Sequence, residues 1–120
     1  MAAVEKNKKP MMLFTEDNLN ITVSPRQAEF TLQLKSNPTT GYSWFLREYN
    51  SELIVPVKKM FQAADAKLMG APGKELWTFR IKPAGFVVPQ QTIIRMIYAR
   101  PFQGSDNSTQ LVFRVSTQTN

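Results

Sequence analysis

Cysteine and histidine are both absent from this chain of 120 residues. Without thiols there is no disulfide framework, so the core alone must hold the fold. The same absence excludes thiol nucleophiles, histidine-based triads and metal sites built from Cys or His. Carboxylates, lysines, tyrosines and hydroxyls are what remains for chemistry, and no carboxylate pair stands at a recognisable spacing. An enzyme is therefore the least favoured class, and neither a metal nor a cofactor is expected. Long apolar runs are lacking too. No stretch reaches the roughly 18 residues that a spanning helix needs, so no membrane partner is expected. Residues 1–10 carry Glu5, Lys6, Lys8 and Lys9 without a long apolar region, unlike a signal peptide. The reading is a flexible tail over 1–10 followed by one domain over 11–120. The compartment is cytoplasmic if Met1 is the native start, and secreted or vesicular if a leader has been removed.

What is present describes an ordinary globular domain. Hydrophobic residues make up 42% of the chain and charged residues 20%, a balance that supports a single core. Fifteen Lys and Arg against nine Asp and Glu leave a net charge of +6. Such a charge can attract nucleic acid or an acidic protein. The basic residues are spread along the chain, however, with only Lys6–Lys9 and Lys58-Lys59 as small clusters. They read as solubility, and no nucleic-acid partner is expected.

Strand periodicity runs through the chain. Leu19, Ile21 and Val23 alternate with polar residues, as do Phe30, Leu32 and Leu34, then Tyr42, Trp44 and Leu46. Met11–Thr15 reads as a short edge strand. Ile54–Ala63 contains Pro56, which suits an edge position or a bulge. Trp77, Phe79 and Ile81 share a face, Thr92–Tyr98 is apolar on both faces like a central strand, and Gln110–Thr117 alternates again. Ala63–Lys67 is compatible with a helical turn. Seven or eight short strands without a helical period predict an all-β, immunoglobulin-like antiparallel β-sandwich.

Three connections stand out. Asn37-Pro38-Thr39-Thr40-Gly41 joins two strands as a stiffened turn. The Asn37 side chain can fold back onto the backbone two residues on, Pro38 fixes its own φ, and Gly41 accepts a positive φ. Leu68-Met69-Gly70-Ala71-Pro72-Gly73 and Arg100-Pro101-Phe102-Gln103-Gly104 are the other two. In a seven-strand sandwich alternate connections emerge at the same end, so all three are expected to cluster there. A clustered, braced edge of this kind suits binding.

Asn37-Pro38-Thr39-Thr40-Gly41-Tyr42 resembles the NPTTG-aromatic signature of the chagasin family of cysteine peptidase inhibitors. Leu68-Met69-Gly70-Ala71-Pro72-Gly73 is similar to that family's glycine-rich second loop, and Arg100-Pro101-Phe102 to its Arg-Pro-Trp motif. The resemblance runs from about Leu19 to Val115, with the three motifs in order. It implies a monomeric, reversible, tight-binding inhibitor of papain-like (cathepsin-like) cysteine proteases. By the same resemblance Thr39 and Thr40 approach the catalytic Cys–His pair and Met69 meets an apolar subsite. Phe102 packs beside the catalytic histidine. Phe102 stands in for the usual Trp, with less stacking area and no indole donor, and Pro72 stands where glycine is common.

Plainer readings exist for the same residues. Asn37, Pro38 and Gly41 serve as turn punctuation in many proteins, and Met69 and Phe102 can pack beneath loops. Arg100 can brace its loop, and Trp44, Trp77 and Tyr98 are assigned to the core without partner contact. Asn20-Ile21-Thr22 and Asn107-Ser108-Thr109 match the glycosylation pattern, which matters only in a secreted protein. The alternative function is a carbohydrate- or surface-binding sandwich module, which would need Trp and Tyr exposed on a flat face.

Overall fold

A computed structural model describes residues 12–63, 73–101 and 109–120. The expected tail over 1–10 and helical turn near 63–67 fall wholly or largely outside them. So do Leu68, Met69, Gly70, Ala71 and Phe102. Among the described residues eight strands follow in order: β1 Leu13–Phe14, β2 Asn20–Val23, β3 Glu29–Ser36, β4 Ser43–Tyr49, β5 Ile54–Gln62, β6 Gly73–Ile81, β7 Gln91–Ala99 and β8 Thr109–Thr117. Short 3₁₀ turns occupy Pro38–Thr40 and Pro83–Phe86. One sheet has the order β1-β3-β6-β5 and the other β2-β8-β7-β4.

Period-2 alternation explains the layering. Phe30, Leu32 and Leu34 of β3 are buried, as are Phe79 and Ile81 of β6, on the inner face of the first sheet. Ile21, Val23, Trp44, Ile94, Met96, Phe113 and Val115 bury the facing side of the second. The rings of Phe30 and Phe79 stack across the β3–β6 pair at 5.7 Å between centroids. Each such fully buried large side chain stabilises the fold by about 1.5–3 kcal/mol.

The sandwich is as expected, with one refinement to its pairing. β3–β6, β5–β6, β4–β7 and β7–β8 are antiparallel. β1 lies parallel to β3, and β2 parallel to β8, so both sheets are mixed. Each of these early strands is short and joins a sheet edge laterally. A side-chain period reports which face is buried but carries no direction of pairing. Pro56 behaves as its chemistry requires: β5 is an edge strand, and its register with β6 shifts between Pro56 and Lys58. β7, apolar on both faces, lies between β8 and β4 in the interior of its sheet.

Register fixes where the connections leave. Ser36 at the end of β3 pairs with Gly73 at the start of β6, and Gln62 at the end of β5 pairs with Lys74. In the other sheet Ser43 at the start of β4 pairs with Ala99 at the end of β7, and Tyr98 with Thr109. The β3–β4, β5–β6 and β7–β8 connections are therefore all anchored at one end of the sandwich.

Candidate functional site

The β3–β4 connection is locked mainly by bonds within itself. The Asn37 side-chain Oδ1 accepts from the Thr39 backbone N–H at 3.2 Å and from the Thr39 hydroxyl at 2.6 Å. This is the two-residue fold-back that asparagine favours in turns. The Asn37 carbonyl accepts from the Thr40 N–H at 3.2 Å and the Thr40 hydroxyl at 2.7 Å. The Thr40 hydroxyl oxygen in turn accepts from the Tyr42 N–H at 3.3 Å. Proline occupies the first position of the 3₁₀ turn at 38, where a fixed φ costs nothing.

Gly41 has φ +82°, in the left-handed region. Space is not the constraint there. A Cβ on Gly41 would meet Arg100 Nε no closer than 3.7 Å, an ordinary contact. Glycine is required by the backbone angle, because L-residues pay roughly 1–2 kcal/mol to enter that region.

β7 supplies the second support. The Tyr98 hydroxyl accepts from the Asn37 N–H at 3.0 Å, tying the first residue of the turn to a strand 61 positions away. The Tyr98 ring lies between those of Tyr42 and Trp44, at 5.4 and 5.0 Å between centroids. Two residues on, Arg100 Nε donates to the Thr40 carbonyl at 3.2 Å, and its guanidinium stands 4.9 Å over the Tyr42 ring. Arg100 thus braces the first loop, and the motif at 100 is joined to the motif at 37–42.

Beneath the turn lies a buried acid. Glu75 on β6 is 2% exposed. Its Oε2 accepts from the Ser36 hydroxyl at 2.7 Å and from the Trp44 N–H at 3.1 Å. Its Oε1 accepts from the Trp77 indole at 3.1 Å and faces Lys59 Nζ at 3.8 Å. Since β4 is an edge strand, the Trp44 N–H here takes its acceptor from the opposite sheet. The Trp44 indole donates to the Lys35 carbonyl at 2.9 Å. Both strands flanking the turn are therefore fixed to one another by side chains of the core.

Thr39, Thr40, Gly41, Arg100 and Pro101 are exposed, and Asn37 and Tyr42 half-buried, at this one end. Trp44 is core as expected, while Tyr98 and Trp77 are half-buried and reach polar partners beneath the turn. Neither Glu75 nor the support role of Tyr98 is part of the sequence reading. A signal existed for the first: Glu75 falls on the period-2 series of Trp77, Phe79 and Ile81, and an acid on a core face needs partners. Among the described residues no group of three or more His, Cys, Asp or Glu is placed to hold a metal ion.

The family model described as "Chagasin family peptidase inhibitor I42" matches residues 24–116. Chagasin from Trypanosoma cruzi is 31% identical over 83 residues, spanning 66% of this chain and 71% of that protein. Amoebiasin-1 from Entamoeba histolytica is 30% identical over 108 residues, covering 89% of this chain and all of the relative. In fold, the chain is similar to the crystal structure of the cysteine protease inhibitor EhICP2 from Entamoeba histolytica. The TM-score is 0.70 at 21% identity, with 89% of this chain and 95% of the other covered. The braced turn at 37–42, the arginine that holds it and the sandwich that presents both are thus parts of a chain that belongs to the chagasin family of peptidase inhibitors.

Proposed function

We propose that this end of the sandwich plugs the active-site cleft of papain-like, cathepsin-like cysteine proteases, reversibly and as a monomer. The first loop, Asn37–Tyr42, enters the cleft with Thr39 and Thr40 foremost. Leu68–Ala71 lies along one side as an extended segment, pairing main chain with main chain. Arg100, Pro101 and Phe102 form the other side, with Phe102 against an aromatic surface.

The observation that carries this reading is the internal hydrogen bonding of the first loop. A protease thiolate needs a carbonyl delivered both to it and to the oxyanion donors. Here the Asn37 carbonyl is held by Thr40 and the Thr40 carbonyl by Arg100. Carbonyls already engaged within a stiff loop are poor substrates for in-line attack, so the wedge can fill the cleft and stay whole. Pre-set geometry also spares about 0.5–1.5 kcal/mol of ordering cost per immobilised side chain. Three loops together can bury an interface of ordinary size, about 1,600 Å².

The test is a titration of papain or a cathepsin L-like enzyme against the purified chain, followed by mass spectrometry of the inhibitor. Inhibition at sub-micromolar concentration with the chain recovered uncleaved is expected. Full protease activity at about 10 μM chain, a binding free energy weaker than about −7 kcal/mol, refutes the proposal.

A further inference from the structure

Glu75 sits in a place built for it. Three donors converge on its two oxygens, the Ser36 hydroxyl, the Trp44 N–H and the Trp77 indole, and the Lys59 ammonium pairs with it at 3.8 Å. Ser36 ends the strand that enters the first loop, and Trp44 lies in the strand that leaves it. Trp77 and Glu75 itself belong to β6, the strand that leaves the β5–β6 connection, and Lys59 to β5, which leads into it. One buried side chain therefore ties the flanks of two of the three connections together, across the gap between the sheets.

Such a group is an unusual choice for stability alone. A buried carboxylate loses its hydration, and apolar replacements of buried ionic groups are often neutral or stabilising. β6 has buried apolar side chains at Phe79 and Ile81 on the same face and interrupts that series with an acid at the loop end. What the acid supplies and an apolar residue cannot is direction: it fixes the Trp44 N–H and the Ser36 hydroxyl at defined points.

We propose that Glu75 is a positioning residue for inhibition. It holds the two flanks of the Asn37–Tyr42 wedge, and the base of the second loop, at the spacing the protease cleft accepts, without itself touching the protease. This rests on the protease-plugging function proposed above. A residue that sets the free loop's conformation acts on the fraction of molecules ready to bind, and apparent affinity falls by that fraction. Contacts in the complex are untouched. Loss of Glu75 therefore slows association and leaves dissociation as it was.

The discriminating substitution is E75Q. An amide of the same shape has one oxygen in place of two, so its NH₂ group faces either the Ser36 and Trp44 donors or the Trp77 indole and the Lys59 ammonium. Stopped-flow binding to papain is expected to show association slowed about tenfold with the dissociation rate unchanged. Exchange of the Thr39 and Thr40 amides, measured by NMR without any protease, is expected to quicken by a similar factor. S36A removes one donor and keeps the acid, and a slowing of about threefold is expected; it carries the test if E75Q does not fold. E52Q, which removes the same negative charge at the exposed connection between β4 and β5, is expected to bind at the wild-type rate.

Wild-type association and wild-type loop amides in E75Q overturn the proposal, as does a loss confined to dissociation, which would mark a contact. An equal slowing in E52Q also overturns it, because loss of one negative charge would then be the cause. A wild-type chain that does not inhibit papain refutes the protease reading instead. The amide exchange of E75Q still decides whether Glu75 sets the loop.

Discussion

Replacing Gly41 tests whether the conformation of the first loop, rather than its composition, matters. Gly41 stands at φ +82°, and a Cβ there would make only ordinary contacts with Arg100. Steric collision therefore contributes little, and the penalty is that of forcing an L-residue into the left-handed region, about 1–2 kcal/mol. Two responses are open to the chain. If the loop keeps its shape, the strain is present in free and bound states alike, and only stability falls. The loop is exposed, however, so it can relax by letting φ become negative, which breaks the alignment of Thr40 with Arg100 and of Tyr42 with Tyr98. Restoring the binding shape then costs at most the strain that was relieved, so the inhibition constant rises by about 5–30-fold for 1–2 kcal/mol. Residues rank by their tolerance of positive φ, with asparagine best and β-branched residues worst. G41N, G41A and G41V are accordingly expected to lose inhibition in that order, with G41V near the upper limit. Progress-curve inhibition of papain gives the constants, and urea unfolding confirms that each variant is folded. Equal potency across the series would refute the reasoning, and so would a loss in G41N as large as in G41V.

Other substitutions separate support, contact and core. Y98F keeps the stacked ring but removes the acceptor for the Asn37 N–H; a hydrogen bond contributes about 0.5–1.5 kcal/mol, so the inhibition constant is expected to rise about 2–12-fold. An unchanged constant would remove Tyr98 from the account. F102A is expected to raise the dissociation rate while association stays near wild type, since anchors act mainly on dissociation; surface plasmon resonance distinguishes the two. I94V, in a fully buried position of β7, is expected to lower unfolding stability by about 0.5–1.5 kcal/mol and leave the inhibition constant alone. A shift in potency there would mean that core packing in general, not the loop supports, sets affinity.

Much of this arrangement is legible in the sequence, for physical reasons that differ from place to place. Burial alternates with period 2, so Phe30, Leu32 and Leu34 announce an inner face directly. Asn37 and Gly41 announce a turn because their chemistry acts within two residues of themselves: the 3.2 Å bond to the Thr39 N–H and the positive φ are both local events. Pro56 announces an edge or a bulge because the missing N–H is its own property, and β5 has both. What is not legible depends on distance. The parallel attachment of β1 and β2 is set by which sheet edge is left open, which no period records. Arg100 reads equally as a brace for its own loop or as a contact, until the fold brings it to the Thr40 carbonyl. Glu75 looks like one more charged residue because its donors lie at positions 36, 44 and 77 and its ion-pair partner at 59. Only the period it shares with Trp77 and Phe79 betrays that it points inward.

The central claim is that one end of the sandwich, and no other surface, meets the protease. Hydrogen–deuterium exchange of the chain with and without papain tests it most directly. Protection on binding confined to residues 37–42, 68–71 and 100–102 is the predicted footprint. Protection centred instead on the connections at 24–28, 50–53 and 82–90, at the opposite end, would contradict it.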